Sequence, residues 1–164
     1  MKKRIWTIVL AVVLVLAVGA GIYMVTRSSK PEIPPEEPAG DKPSVVVYVP
    51  DEQAETLTAT GAQAADDSDQ ALVDVLISMN ALPAGVEVKS SSAADGVLTL
   101  DMNAAYGDAI RSSGTAGETM LIYALVDTFV QARGVEQVLL TVEGKTLESG
   151  HEIYDTPLEM GYTS

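Results

Sequence analysis

The feature that most constrains the fold is a long apolar segment near the C-terminus, TAGETMLIYALVDTFVQARG, from Thr115 to Gly134. Apolar side chains recur in it at three- and four-residue spacing, which predicts an α-helix. They form two adjoining rows, made of Leu121, Leu125 and Phe129 and of Ile122, Val126 and Val130. A helix with so broad an apolar surface needs wide cover, and we expect a β-sheet to supply it.

Both ends of this helix carry signals of their own. Thr115 and Glu118 have the T-x-x-E spacing of a capping box, in which each side chain satisfies a free amide at the helix start. Gly134 is placed to end the helix in a left-handed conformation. The predicted helix therefore begins near Thr115 and ends at Gly134.

A strand and a helix are predicted before it. The β-branched run Val45–Val49 reads as a buried strand that Pro50 ends, and the polar residues 51–67 predict a long loop. The next helix has an apolar stripe on one face, an acidic N-terminal end at 66–69 and a stop at Pro83. Its stripe consists of Leu72, Val75, Leu76 and Met79.

Strands account for most of the remainder. They are predicted at Val86–Lys89, Val97–Met102, Val138–Val142 and Lys145–Glu148, with tight turns at Asp95-Gly96 and Glu143-Gly144. The element order is β-α-β-β-α-β-β. We therefore predict an α+β fold, a single domain with a mixed β-sheet and two helices packed on one face.

The N-terminus is a candidate membrane anchor. An uncharged run from Ile5 to Thr26 follows Met-Lys-Lys-Arg and would span about 33 Å as a helix, enough to cross a bilayer. A cleaved signal peptide is the alternative, but the apolar run continues beyond the small residues 19–21 where a cut could fall. More positive charges precede the run than follow it, which places the N-terminus in the cytoplasm. We expect a transmembrane anchor over residues 1–27, with the rest of the chain outside the cell.

The exported part divides into a linker and a domain. Residues 28–43 are rich in Pro and Glu and predict an extended linker, which leaves 44–164 for the domain. From Pro31 onward the chain has 23 acidic and 5 basic side chains, a formal charge of −18. This charge argues against nucleic acid as a partner, because phosphates are met by Lys and Arg. The chain has no cysteine, which excludes disulfides, a thiolate nucleophile and a cysteine zinc site.

His151 is the only histidine and has acidic neighbours. Ser149, His151 and Asp155 supply the residue types of a catalytic triad, but they lie close together in sequence, whereas triad members come from separate segments. A metal site would need Glu148, Glu152 or Asp155 as further ligands, and no second histidine is present. A structural histidine, hydrogen-bonded in a turn, is the interpretation that we favour.

Acidic side chains are the other candidates for chemistry. A glycosidase needs two positioned carboxylates, and several acids lie near predicted strand ends or helix faces. These acids are Asp101, Asp108, Glu118 and Asp127. They fit a solvated surface equally well, which is the interpretation that we prefer.

The chain shows no pattern that predicts a cofactor. Gly107, Gly114 and Gly117 lack the spacing of a phosphate-binding loop. Tyr106 and Tyr123 fit either a core or an interface. We therefore predict no catalytic, cofactor-binding or metal-ligating residues and no enzymatic activity.

The C-terminal half resembles the GerMN domain of sporulation and spore germination proteins. The resemblance rests on a strand ending in Asp, a Gly-x-x-x-E helix start, a strand leading to Gly, and a Gly-His element before Pro-Leu. Here these are Val97–Asp101, Gly114–Glu118, Gly134–Gly144 and Gly150–Leu158. The match is close over residues 96–158 and holds only by pattern over 44–90.

The resemblance implies an envelope-associated, non-enzymatic module of Gram-positive and related bacteria, akin to ring-building modules of sporulation channels. We therefore expect an interaction module that supports envelope or sporulation-type complex assembly, binding an envelope protein or itself through a sheet edge or a helix face. Peptidoglycan is a further candidate partner. The alternatives are a protein that binds or cleaves cell-wall glycan, and an accessory subunit whose transmembrane helix makes the contact.

Overall fold

The structure is a computed structural model that describes residues 42–51, 53 and 55–161. The predicted membrane anchor and nearly all of the predicted linker lie outside these residues. Within the described ranges, none of the helices has both the length and the apolar character needed to cross a membrane.

Three helices and eight strands make up the described part of the chain. The helices are α1 (Asp69–Ser78), α2 (Ala104–Ser112) and α3 (Gly114–Arg133). The strands are β1 (Ser44–Pro50), β2 (Leu57–Gln63), β3 (Val88–Ala94), β4 (Val97–Met102), β5 (Gln137–Val142), β6 (Lys145–Glu148), β7 (Ile153–Tyr154) and β8 (Leu158–Glu159).

The strands form a hairpin and a larger mixed sheet. β1 and β2 pair antiparallel as a separate two-stranded hairpin. The main sheet has the order β3-β4-β5-β6-β7, and β8 pairs with the start of β5. Only β4 and β5 run parallel, because the connection between them contains α2 and α3.

The two faces of the main sheet differ in cover. Along β4 and β5, alternate apolar side chains are fully buried; we call this the covered face, made of Leu98, Leu100, Met102, Val138 and Leu140. The residues between them are half-buried, and the apolar ones, Val97 and Leu139, are not packed against the core. This alternation is what a sheet with one helical layer requires.

Helix α3 lies at the centre of the fold. Residues 124–129 are buried without a break, so the helix is covered around its circumference. On one side it packs against β5 and β8, and on another against β1. The Oγ1 of Thr128 accepts the backbone N–H of Tyr48 at 3.0 Å, which ties the β1–β2 hairpin to the helix. The wide cover predicted from the apolar rows is therefore confirmed.

Several boundaries of the predicted elements are confirmed. Ser68 caps α1, accepting the N–H of Ala71 at 3.1 Å, and the acidic start contributes Asp69 to an ion pair with Arg133. Gly134 ends α3 with φ of 63°. Both predicted turns have positive φ at their two central residues, 52° and 82° at Asp95-Gly96 and 52° and 72° at Glu143-Gly144. That geometry defines tight two-residue hairpins.

Other predictions were wrong. The predicted loop at 51–67 contains β2, β3 extends through the polar residues 90–94, and α2, β7 and β8 were not foreseen. The described residues thus form three helices rather than two. The capping box is also absent: Ser113 occupies the cap position of α3 without a side-chain hydrogen bond, and Glu118 is buried inside the fold.

Candidate functional site

Each of the four acids considered for catalysis has a separate structural partner, and the preferred interpretation as a solvated surface is wrong for Glu118 and Asp127, which are buried. Asp101, on β4, uses its Oδ1 to accept the hydroxyl of Thr141 at 2.7 Å and the N–H of Gly144 at 2.8 Å. These bonds join the end of β4 to the β5–β6 turn. Asp101 therefore stabilises a hairpin.

Glu118 faces the interior from the first turns of α3. Only 3% of it is exposed, and its Oε1 accepts the hydroxyl of Tyr154 at 2.6 Å. Burial raises the pKa of Tyr154, and the hydrogen bond to Glu118 raises it further. Tyr106 is fully buried nearby, with its own pKa raised by burial and its hydroxyl 3.4 Å from the carbonyl of Leu121. Tyr106 is thus a core residue.

The two remaining acids differ in their exposure to solvent. Asp127 is fully buried on α3 and accepts the N–H of Gly161 at 3.1 Å, which fastens the C-terminal segment to the helix. The half-buried ring of Tyr123 lies against Gly161, where a Cβ would approach its Cε1 to 2.6 Å. Asp108 is exposed on α2 and pairs with Arg111 at 2.5 Å.

The loop around His151 is organised by Ser149. Its hydroxyl oxygen accepts the backbone N–H groups of His151 at 3.2 Å and of Glu152 at 3.0 Å. Ser149 is 5% exposed, so the hydroxyl is committed to the turn. The imidazole of His151 is exposed and makes no hydrogen bond within the described residues. The predicted turn exists, but its hydrogen bonds come from Ser149 and the backbone, and the His151 side chain does not hold it.

The described part of the chain brings no metal-binding cluster together. It contains no group of three or more His, Asp or Glu side chains arranged to hold an ion. The acids proposed beside His151 as ligands are exposed, and Ser149 lies between the strands β6 and β7.

A depression of about 680 Å³ lies between α2 and β6. Its charged lining comes from Arg111, Glu143, Lys145 and Glu148. The hydrogen bond from Lys89, at 2.5 Å, lowers the pKa of Glu143, and the other oxygen of this carboxylate accepts the N–H of Ala104. Glu143 is therefore held as a carboxylate at the start of α2.

The strand register defines the uncovered side of the main sheet, which is a candidate interaction surface. Strand pairing places Thr99 beside Leu139, Thr141 beside Thr146, and Ile153 beside Glu148 on this side. We call this surface the open face; it comprises Val97, Thr99, Leu139, Thr141, Thr146 and Ile153, and the acids Asp101 and Glu148 lie on the same side. Val97 and Leu139 are half-buried but do not pack against the core, and Ile153 is 58% exposed.

Sequence reasoning did not single out this surface. Its signal is the alternation along β4 and β5, where Val97, Thr99 and Leu139 fall between the core positions. The alternation assigns a face to each residue once the strands are known. Ile153 carries no such signal, because β7 has only two residues.

Comparison with known proteins gives a family match over the domain. A family profile described as "Germane: Sporulation and spore germination" matches residues 42–148. No curated protein matches the chain.

Two solved structures resemble the fold. One is a candidate lipoprotein from Clostridium perfringens, with 17% identity, a TM-score of 0.47, and coverage of 74% of this chain and 91% of that one. The other contains the tandem GerMN domains of the sporulation protein GerM from Bacillus subtilis, with 17% identity, a TM-score of 0.49, and coverage of 78% and 51%. This chain thus spans about half of that tandem structure. Since the family profile matches well over half of the sequence, the chain belongs to the Germane (GerMN) family of sporulation and spore germination.

Proposed function

We propose that the chain is a membrane-anchored, extracytoplasmic interaction module, without enzymatic activity, that supports assembly of an envelope or sporulation-type protein complex. The open face binds an envelope protein. The uncharged run 5–26 holds the module at the outer side of the membrane, with the N-terminus in the cytoplasm.

The observation that carries this proposal is the composition of the open face. It combines the half-buried apolar side chains Val97 and Leu139 and the exposed Ile153 with threonine hydroxyls and the acids Asp101 and Glu148. An apolar centre within a polar surround is the usual anatomy of a protein interface.

The acids support the same interpretation. Asp101, Glu118 and Asp127 each accept hydrogen bonds from the fold itself, and Asp108 pairs with a neighbouring cation. A hydrolase would instead direct two carboxylates at a shared substrate. These side chains are accounted for by folding and need no substrate to explain them.

The test is affinity isolation of the full-length tagged chain from detergent-solubilised envelopes, followed by quantitative mass spectrometry. The decisive variant is Leu139→Asp, which places a charge at the centre of the open face. Ala116→Asp is the matched control, since Ala116 is exposed in the first turn of α3, away from the sheet. We expect one stoichiometric protein with the wild type and the control, and its loss with Leu139→Asp. A partner that survives Leu139→Asp would exclude the open face.

The depression beside β6 gives the glycan-binding alternative a specific place. It offers Arg111, Lys145 and the carboxylates Glu143 and Glu148 to a polar ligand. Glu148→Gln together with Lys145→Gln would abolish pull-down by purified peptidoglycan if this alternative holds. On our proposal the wild-type chain shows no such pull-down above a control protein of similar charge.

A further inference from the structure

The outer edge of β3 is free of any partner strand within the described residues. β3 is the terminal strand of the main sheet, and its inner edge pairs with β4 from Ala94↔Val97 down to Ser90↔Asp101. All of its residues from Lys89 to Ala94 are exposed.

Hairpin geometry shows which backbone groups point outward. In a tight two-residue hairpin the residues that flank the turn, here Ala94 and Val97, exchange both hydrogen bonds. Bonding then alternates along the strand. The N–H and C=O groups of Ser91 and Ala93 therefore face away from β4. Farther along, the N–H of Val88 is already taken by the side-chain oxygen of Gln70 at 2.8 Å.

This edge lacks the devices that usually keep a sheet edge from pairing. Natural edges carry charges, prolines or bulges that block another strand. Residues 90–94 read Ser-Ser-Ser-Ala-Ala, with no charge and no proline, and the single register shift lies before Ser90. The segment itself is therefore small and uncharged. Asp69 of α1 accepts the hydroxyl of Ser91, but the outward backbone groups of Ser91 and Ala93 remain available to one more strand.

We propose that the occupant is β3 of a second copy of this chain, paired antiparallel about a twofold axis at Ser92. In this register Ser91 of each copy lies opposite Ala93 of the other. Both residues have outward-facing backbone groups, so each pair can exchange two hydrogen bonds. Only small side chains meet along the edge.

The charged residues near the two ends of the shared segment favour this register over the neighbouring ones. The pairing brings Lys89 of one copy close to Asp95 of the other, at both ends of the shared segment. A shift by two residues in one direction would bring Glu87 against Asp95, and the opposite shift would leave both charges without a counter-charge. Lys89 also pairs with Glu143 in its own copy, yet 45% of its side chain is exposed. In the dimer it would exchange Glu143 for Asp95 of the second copy, because Glu143 lies on the inner side of β3 and Asp95 of the second copy lies on the outer side.

The pairing goes beyond the proposed function. A twofold axis perpendicular to the sheet joins the two main sheets into one and places both open faces on the same side. The dimer would thus present a doubled surface to whatever binds there. The dimer itself does not depend on that partner.

Disulfide trapping in membranes tests the pairing on the full-length chain, which has no cysteine of its own. Ser92→Cys places two thiols at the axis in a non-hydrogen-bonded pair, with Cα atoms about 4.5 Å apart. That separation suits a disulfide. Under mild oxidation we expect a covalent dimer at twice the 17.2 kDa chain mass. Ser90→Cys, in the same strand, would lie roughly 14 Å from its own copy and should stay monomeric.

Two further variants make the result specific. Cells that express Ser90→Cys and Ala94→Cys together should give a mixed disulfide, since these residues lie opposite each other. Ala93→Pro, combined with Ser92→Cys, removes an outward N–H at a position where an edge strand tolerates proline. It should lower the trapped dimer at least tenfold while circular dichroism remains unchanged.

Three results would overturn the proposal: a monomeric Ser92→Cys chain, equal trapping of Ser90→Cys, or an Ala93→Pro variant that folds and still traps. Leu139→Asp separates this proposal from the proposed function. It lies on the open face and not at the edge, so it should leave the trapped dimer unchanged whether or not it removes the envelope partner.

Discussion

The two faces of the main sheet use the same strands for different purposes. On the covered face Leu140 is 1% exposed and belongs to the core, whereas its neighbour Leu139 is half-buried and does not pack against the core. The two leucines are adjacent in sequence and differ only in the side of the strand on which they lie. The side of the strand on which an apolar residue lies therefore decides whether it contributes to stability or is available for recognition.

The largest expected effect on stability comes from a substitution on the covered face. Leu140→Ala should destabilise the domain by about 2–5 kcal/mol, because it leaves a cavity in a packed core. Leu139→Ala, one residue away, should cost less than about 1 kcal/mol. Urea denaturation followed by circular dichroism measures both. Equal losses would show that the open face is covered and would remove the basis of the comparison.

A second prediction concerns a polar contact beneath the covered face. Tyr154→Phe removes the donor to the buried carboxylate of Glu118 and should cost about 1–3 kcal/mol at neutral pH. The raised pKa of Tyr154 also predicts a pH effect. The hydroxyl of Tyr154 has a higher pKa in the folded chain than in the unfolded chain. This difference stabilises the fold fully below about pH 10, and the contribution is lost as the pH rises through the pKa of the folded state.

Thermal unfolding from pH 8 to 11 measures that dependence. The wild type should lose stability above pH 10 more steeply than Tyr154→Phe, which lacks the ionisable hydroxyl. Identical slopes for wild type and Tyr154→Phe would show that the ionisation of this hydroxyl is not linked to folding.

A third prediction identifies an exception on the open-face side. Asp101→Ala should cost about 1–2 kcal/mol despite its position there, because the carboxylate accepts hydrogen bonds from Thr141 and Gly144. Asp101→Asn retains one oxygen acceptor and should lose less. Denaturant midpoints give both values. A stable Asp101→Ala variant that has lost a glycan-cleaving activity would instead favour the enzymatic alternative.

The smallest expected effect is at His151. His151→Ala should change stability by no more than about 0.5 kcal/mol, since its imidazole is exposed and makes no hydrogen bond in the described residues. Ser149→Ala, two residues earlier, should cost about 1–3 kcal/mol because two backbone amides lose their acceptor. Differential scanning fluorimetry suffices to rank the two variants. The reverse order would restore the histidine as the structural residue of the turn.

The sequence predicted those elements whose patterns lie within a short stretch of neighbouring residues. The α3 apolar rows, the left-handed Gly134 and the two tight turns are local signals, and the structure confirms them. β2 and the outer half of β3 have mostly small or polar side chains, so only their pairing with β1 and β4 makes them strands. Pairing between distant segments leaves little trace in a single sequence.

Two local signals were misread or missed. Thr115 and Glu118 have capping-box spacing, but α2 runs almost directly into α3, and the carboxylate turns inward to Tyr154. Helix α2 was missed although Asn103 precedes it as a capping residue and Tyr106 and Ile110 share a buried face four residues apart. The open face was less predictable from the sequence, because it exists only where no other element packs against the sheet, and the sequence alone does not show where elements pack.

The most direct test of the central claim is site-specific photo-crosslinking from the open face. A photoreactive phenylalanine replaces Thr99 in the full-length chain, in cells that produce it, and a second strain carries the same probe at the exposed helical position Asp108. Our account predicts a discrete adduct with one envelope protein from Thr99 and none from Asp108. An adduct from Asp108 with no adduct from Thr99 would place recognition on the helices and contradict the account.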